Sequence, residues 1–376
     1  MTDIVPETRT RSLAWHLLFS ECDEMKKLAS IFCAVAVLAA VLASGCGEAE
    51  PQTADPNYSV SAKGAFGAAP AVTIPSADAD PALAVRTLID GSGPRIGASD
   101  YLVVKYLDYV WRGADHRLIS DNFSSPSVSP LTQLLPGVKA ALIGKRAGSR
   151  VLAVLPPEEG YGKAGMPALG IRGSDTLVFV IDVILAVPEG AKAGGAQVFR
   201  GDDDLPSVNV SAAAIPTMRI PDAAPPGALT VRTLFKGNGQ RIENGFYILC
   251  QYTGVDWRTG KVFDSSRSQE APLGFTVGRA LGQVLPGLNQ GLTGQTVGSR
   301  VMLILPPDDG YGKINLPPNT GIRSNDTVVF LIDIIGAAKM LQDRSASSGI
   351  RLLARGGRLG LMAAREPSPL GTPEVT

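Results

Sequence analysis

Apolar positions in this chain gather into short runs closed off by turn-forming residues, and that pattern predicts strands. Phe246–Tyr252, Arg300–Leu305 and Thr327–Ile332 are rich in β-branched and aromatic side chains, with Gly, Pro, Asn and Asp bounding them. One short helix is expected near Leu288–Leu292, just after the Pro286–Gly287 turn. The pattern then occurs twice. ALAVRTLIDGSGPRI at 82–96 returns as ALTVRTLFKGNGQRI at 228–242, and LPPEEGYGK at 155–163 as LPPDDGYGK at 305–313. GIRGSDTLVFVIDVI at 170–184 is echoed by GIRSNDTVVFLIDII at 321–335. An offset of 146 to 151 residues is too long for a solenoid and reads as a duplicated domain. Each copy is expected to be α+β, a sheet closing over one short helix. Ala71–Pro75 and Met218–Pro221 are expected to add an outer strand to the copy that follows each.

The longest apolar run lies elsewhere. From Met25 the chain reads MKKLASIFCAVAVLAAVLASGC, two lysines followed by an apolar stretch from Leu28 to Ala43. That stretch is short of the roughly 20 residues a spanning helix needs, and its charged start and small-residue end describe a secretion signal. The Ser44-Gly45-Cys46 ending resembles a bacterial lipoprotein box, with Ala43 where Leu is more usual. Residues 1–24 carry charge inside what should be a short leader, so Met25 is the expected start; on the resemblance Cys46 is the lipidated residue and the protein an exported one, held at the cell membrane by a lipid anchor and facing the extracytoplasmic side. The expected organisation is leader 1–46, flexible linker 47–65, first domain 66–188, linker 189–204, second domain 205–338 and a disordered tail 339–376. Linkers and tail earn that reading from Ala, Gly, Asp and Pro content or scattered Arg, which bury little apolar surface.

Composition narrows the chemistry. The 376 residues suffice for two domains. Thirty-five basic residues balance 35 acidic ones, which removes the field that nucleic-acid binders rely on. Two His (His16, His116) and four Cys (Cys22, Cys33, Cys46, Cys250) form no zinc-ligand spacing and no disulfide framework. Glu158-Glu159 and Asp308-Asp309 read as charged turns, since neighbouring side chains diverge. Gly91-Ser92-Gly93 and Gly237-Asn238-Gly239 lack the rest of a dinucleotide fingerprint. Cys250 reads as a buried thiol, and Trp111 and Trp257 as matched packing residues near a hairpin turn.

Within the second copy Tyr252-Thr253-Gly254, Phe263-Asp264-Ser265-Ser266, Val284-Leu285-Pro286-Gly287-Leu288, Gly310-Tyr311-Gly312 and Asp326-Thr327-Val328-Val329-Phe330 follow in an order and spacing that resemble the FKBP-type peptidyl-prolyl cis-trans isomerases, in particular exported bacterial members with two tandem domains. The resemblance spans roughly 228–337. It implies an antiparallel sheet half-wrapped around a short helix, and an apolar cleft between them that takes proline. On the same footing Phe263, Val284, Leu285, Leu288, Ile322 and Phe330 would line the cleft, with Tyr252, Asp264 and Tyr311 as its catalytic polar groups. Tyr311 and the Leu285 amide would hold substrate carbonyls, and Asp264, bonded to Tyr252, would polarise the twisting one. Leu288 stands where the family often has Trp, and Gln269 and Leu273 replace its usual Arg and aromatic.

The implied chemistry requires no cofactor, metal or nucleophile. Rotation about X–Pro crosses a barrier of about 18–20 kcal/mol because twisting breaks amide conjugation. The twisted amide is less dipolar than the planar one, so a dry apolar cleft favours it. Lowering the barrier by about 6–8 kcal/mol gives roughly 10⁴–10⁶ in rate. The implied partners are proline-containing polypeptides, met by a monomer. A non-catalytic peptide-binding module or holdase is the rival reading, and the first copy favours it. That copy keeps Tyr106, Leu134, Leu135, Tyr161, Ile171 and Phe179, has Val138 on the floor and lacks the Phe-Asp pair. Its nearest echo, Asn122-Phe123-Ser124-Ser125, puts Phe123 where the carboxylate is expected.

Overall fold

The computed structural model describes residues 59–198, 204–209, 216–268, 271–278, 284–313 and 321–340. The expected leader with Cys46, Gln269 and the tail beyond Met340 lie outside them.

The first copy begins with β1 (Ser61–Lys63) and β2 (Ala71–Thr73), continues through β3 (Ala84–Ile89), β4 (Tyr101–Arg112), β5 (Asp115–Asp121) and β6 (Ser127–Pro130), and then forms helix α1 (Pro136–Leu142), β7 (Arg150–Leu155) and β8 (Thr176–Val187). The second runs through β9 (Ala196–Gln197), β10 (Ser207–Asn209), β11 (Thr217–Arg219), β12 (Thr230–Lys236), β13 (Phe246–Asp256), β14 (Val262–Ser265), β15 (Leu273–Thr276), α2 (Pro286–Leu292), β16 (Arg300–Leu305) and β17 (Val328–Lys339). Each main sheet is antiparallel. The first has the order β3-β7-β8-β4-β5 with β6 also on β4; the second has β9-β12-β16-β17-β13-β14 with β15 also on β13.

Both faces of each sheet are covered, which explains why β7 and β16 read as continuous apolar runs rather than alternating ones. In β16, Val301, Leu303 and Leu305 face the helix, while Met302 and Ile304 face the opposite side. Each helix opens on Pro, whose missing N–H has no intrahelical partner to lose, followed by Gly. A Cβ on Gly287 would lie 2.7 Å from Leu305 Cγ and 3.0 Å from the Asp309 carbonyl oxygen, so only glycine lets the helix seat this close to β16.

The expected outer strands are absent from the main sheets. β2 pairs with β1, and β11 with β10, as separate hairpins. They lie flat over the far face instead of extending an edge: Val60 and Ile74 pack with Trp111, and Leu205 with Trp257. Each indole donates to the arm before its sheet, Trp111 to the Ala77 carbonyl (3.1 Å) and Trp257 to that of Ala223 (3.0 Å). Beneath the first hairpin, the buried Arg150–Asp182 pair (2.6 Å) donates from Arg150 to the Gly64, Ala65 and Ala68 carbonyls. The stretch 59–65, read from composition as part of a spacer, is therefore ordered by backbone groups that composition does not reveal.

The described part of the expected second linker, residues 189–198, differs from expectation in the same way. Its β9 hydrogen-bonds to β12 as an edge strand, and Gly194 donates to the Gly298 carbonyl at 3.1 Å. Both copies lie within one compact unit, Ala54–Thr376. Tyr101 and Val103 of β4, Val187 of β8, and Tyr247 and Leu249 of β13 join in one buried cluster that links them.

Candidate functional site

Alternation along β13 turns Phe246, Ile248, Cys250 and Tyr252 toward α2. Gly254 comes next on that face. A Cβ there would lie 2.7 Å from Phe263 Cζ and 3.1 Å from Phe330 Cε1, so the missing side chain is what lets those rings close over the strand. Directly opposite Gly254, β14 presents Asp264, whose carboxylate accepts the Tyr252 hydroxyl at 2.8 Å. The Phe263 ring stands edge-on to Phe330 (5.7 Å between centroids) and to Tyr311 (6.0 Å). Tyr252 lies 6.1 Å from Phe330. Leu285 and Leu288 enter from the start of α2, with Val284 beside them, and Ile322 closes the cluster from the loop before β17. That loop is held by Arg258, which bonds both Asp326 oxygens at 2.8 Å; the Arg258 bond holds the Asp326 carboxyl below its usual range. The fold thus gathers all nine second-copy residues singled out from sequence.

The polar groups of the cluster are few and specific. Tyr311 is 1% exposed, and its hydroxyl has no hydrogen-bond partner among the described residues. A buried, unsatisfied hydroxyl is costly unless another molecule completes it. Burial first, and the Asp264 charge second, push the phenols of Tyr252 and Tyr311 up, so both remain O–H donors throughout the physiological range. Cys250 is also buried, and desolvation pushes its thiol up to about 12, where it is neither nucleophile nor thiolate ligand. Arg267 does not reach the cluster; it pairs with Asp333 (3.6 Å), the partner of Arg300 on the far face.

In the first copy Tyr106, Leu134, Leu135, Ile171 and Phe179 share one core with Val138, and Tyr161 packs against it, half-buried. Strand register corrects one sequence assignment. Asp108 faces Ser120 as Gly254 faces Asp264, so Ser120, not Phe123, occupies the carboxylate position. Ser120 Oγ donates to the Tyr106 hydroxyl at a long 3.4 Å. Phe123 turns instead to the opposite face, beneath the cations of Lys105 and Arg150, each 5.9 Å from its ring. The motif echo misleads because Asn122, not Ser125, caps the Tyr106 amide, the task Ser266 performs for Tyr252.

Two residues escaped the sequence reading. One is Gly254, whose lack of a side chain shapes the aromatic cluster. The other is its counterpart Asp108, fully buried on the inner face of β4 with neither oxygen partnered among the described residues. The signal was present: Tyr-Thr-Gly in one copy reads Tyr-Leu-Asp at the same point of the repeat.

Comparison with known proteins converges on one family. The family model described as FKBP-type peptidyl-prolyl cis-trans isomerase matches residues 100–184 and 239–335. A Streptomyces anulatus FK506-binding protein is 32% identical over 120 residues, 32% of this chain and 94% of the relative. The FK506-binding protein 2B of Rhizopus delemar is 40% identical over 96 residues, 26% of this chain and 44% of the relative. The Escherichia coli K12 FKBP-type peptidyl-prolyl cis-trans isomerase FkpA is 31% identical over 109 residues, 28% of this chain and 37% of the relative.

Proposed function

The chain belongs to the FKBP-type peptidyl-prolyl cis-trans isomerase family, and we propose that it carries two tandem FKBP domains, of which the second isomerises X–Pro bonds and the first binds peptide without efficient catalysis. One observation carries this division: Tyr252 bonds a carboxylate beside the Phe263–Phe330 rings, whereas at the equivalent register position the first copy offers Tyr106 a serine hydroxyl in place of the carboxylate.

The mechanism follows from those groups. A prolyl ring enters between Phe263, Phe330 and Leu288 and leaves water behind. Removing water from the amide oxygen raises the dipolar planar state relative to the twisted one. The Tyr311 hydroxyl, which has no partner among the described residues, and the Leu285 amide hold carbonyls of the substrate and fix the chain on one side of the rotating bond. Tyr252 and Asp264 form the polar rim toward which the turning carbonyl moves. No covalent bond is made or broken. The rival reading, a holdase gripping peptide without catalysis, is favoured in the first copy by Ser120.

The apolar run Leu28 to Ala43 followed by Ser44-Gly45-Cys46 supports an exported, lipid-anchored protein acting on envelope polypeptides; the mass of the mature N-terminus tests this. The division of labour is tested with the full chain and a blocked X-Pro tetrapeptide. Asp264→Ala is expected to abolish most of the rate enhancement and Tyr161→Phe to leave it in place; the reverse pattern would overturn the assignment.

A further inference from the structure

The first copy holds a carboxyl group that the isomerase chemistry does not use. Asp108 continues the inward series Leu102, Val104 and Tyr106 along β4, is completely buried, and has neither oxygen hydrogen-bonded among the described residues. Its place is that of Gly254, where the second copy has no room for a side chain because the Phe263 ring fills the space. Register puts Ile119 at the Phe263 position. The aromatic wall has gone and an acid stands in its volume.

A buried, unpaired carboxyl is destabilising, and an apolar side chain of that size would serve packing better. The chain's nearby cations do not relieve it. Lys105 and Arg150 lie on the opposite face of the sheet, where both donate to the β1–β2 connection, and Arg112 is bonded to Asp175 at 2.7 Å. Among the described residues no cation pairs with Asp108, so a charged partner for its carboxylate would be supplied by a ligand. Its surroundings are apolar, Phe179, Val138 and Ile171 sharing one core with Tyr161 packed against it, so a methylene stem would meet matching surface there; Tyr161 is half-buried where Tyr311 is fully buried.

We propose that the first copy is a binding site for a basic side chain of a polypeptide, lysine above all, whose stem lies along Phe179 and whose ammonium pairs with Asp108. This rests on reading the first copy as a peptide-binding domain and adds its specificity. The titratable groups facing Asp108 are Tyr106 on its own strand and Tyr161 from the loop after β7; Ser120 faces it from β5, and Phe179 of β8 brings no charge. Burial alone pushes the Asp108 carboxyl up to about 8. Near pH 7 ligand binding therefore releases the Asp108 proton to buffer, leaving a carboxylate beside the incoming ammonium.

The test uses the full chain and two blocked tetrapeptides, acetyl-Ala-Ala-Lys-Ala-amide and the same peptide with norleucine for lysine, titrated by calorimetry. The lysine peptide is expected to bind at least about tenfold more tightly, with the heat differing between buffers of different ionisation enthalpy. Asp108→Asn and Asp108→Gly should erase both the preference and the buffer dependence, and Asp264→Asn neither. Equal binding of the two peptides overturns the role of Asp108 while leaving the first copy a peptide site. Binding of neither overturns both readings.

Discussion

The Tyr252 hydroxyl donates to Asp264 at 2.8 Å across the strand pair where Gly254 leaves room for the Phe263 ring. Four residues from two strands thus fix one polar corner of an otherwise apolar cluster. Asp264→Asn keeps the size of the side chain and removes its charge. It is expected to lower kcat/KM about tenfold or more, since a charge-assisted hydrogen bond contributes about 1.5–3 kcal/mol, with little change in the unfolding midpoint. A protease-coupled proline assay beside urea denaturation checks both.

Exchanging the residues at the equivalent glycine and aspartate should be asymmetric. Gly254→Asp forces a Cβ to within 2.7 Å of Phe263, and overpacking of this kind costs about 1–3 kcal/mol. Activity is expected to fall at least tenfold. Asp108→Gly removes a buried unpaired acid and should leave isomerase activity unchanged. Parallel kinetics on the two variants decide the matter.

These positions also show where the sequence was legible. The duplication, the strand runs and the second-copy aromatics could be read directly, because pattern and order survive in one dimension. Ser120 could not, because the equivalence with Asp264 depends on strand register, and a nearby Phe-Ser-Ser echo offers a false match. The pairings of β1 with β2 and of β10 with β11 were likewise hidden: their order comes from packing on Trp111 and Trp257 and, in the first, from Arg150 donating to backbone carbonyls.

Asp108 should make stability depend on pH in an unusual direction. Its carboxyl is pushed up to about 8 in the folded chain against about 3.9 unfolded. The folded state therefore holds the extra proton between these values, and its stability falls as pH rises from about 4 to 8, by roughly a few kcal/mol in total. Urea midpoints at pH 5 and pH 8 should differ more for the wild type than for Asp108→Asn.

The cluster between the copies makes its own demand. Leu249 is fully buried against the first copy's Tyr101 and Val103, so Leu249→Ala should cost about 2–5 kcal/mol. Val262, 59% exposed, should tolerate Ala within about 0.5 kcal/mol. Guanidinium denaturation of the two variants separates a packed interface from an incidental contact.

The decisive experiment follows cis–trans exchange of a blocked X-Pro peptide by NMR at catalytic concentrations of the full chain. The account expects rapid exchange with the wild type, and exchange reduced by two orders of magnitude or more with Tyr311→Phe and Asp264→Ala combined. Equal exchange with wild type and double variant, fast or slow, would contradict it.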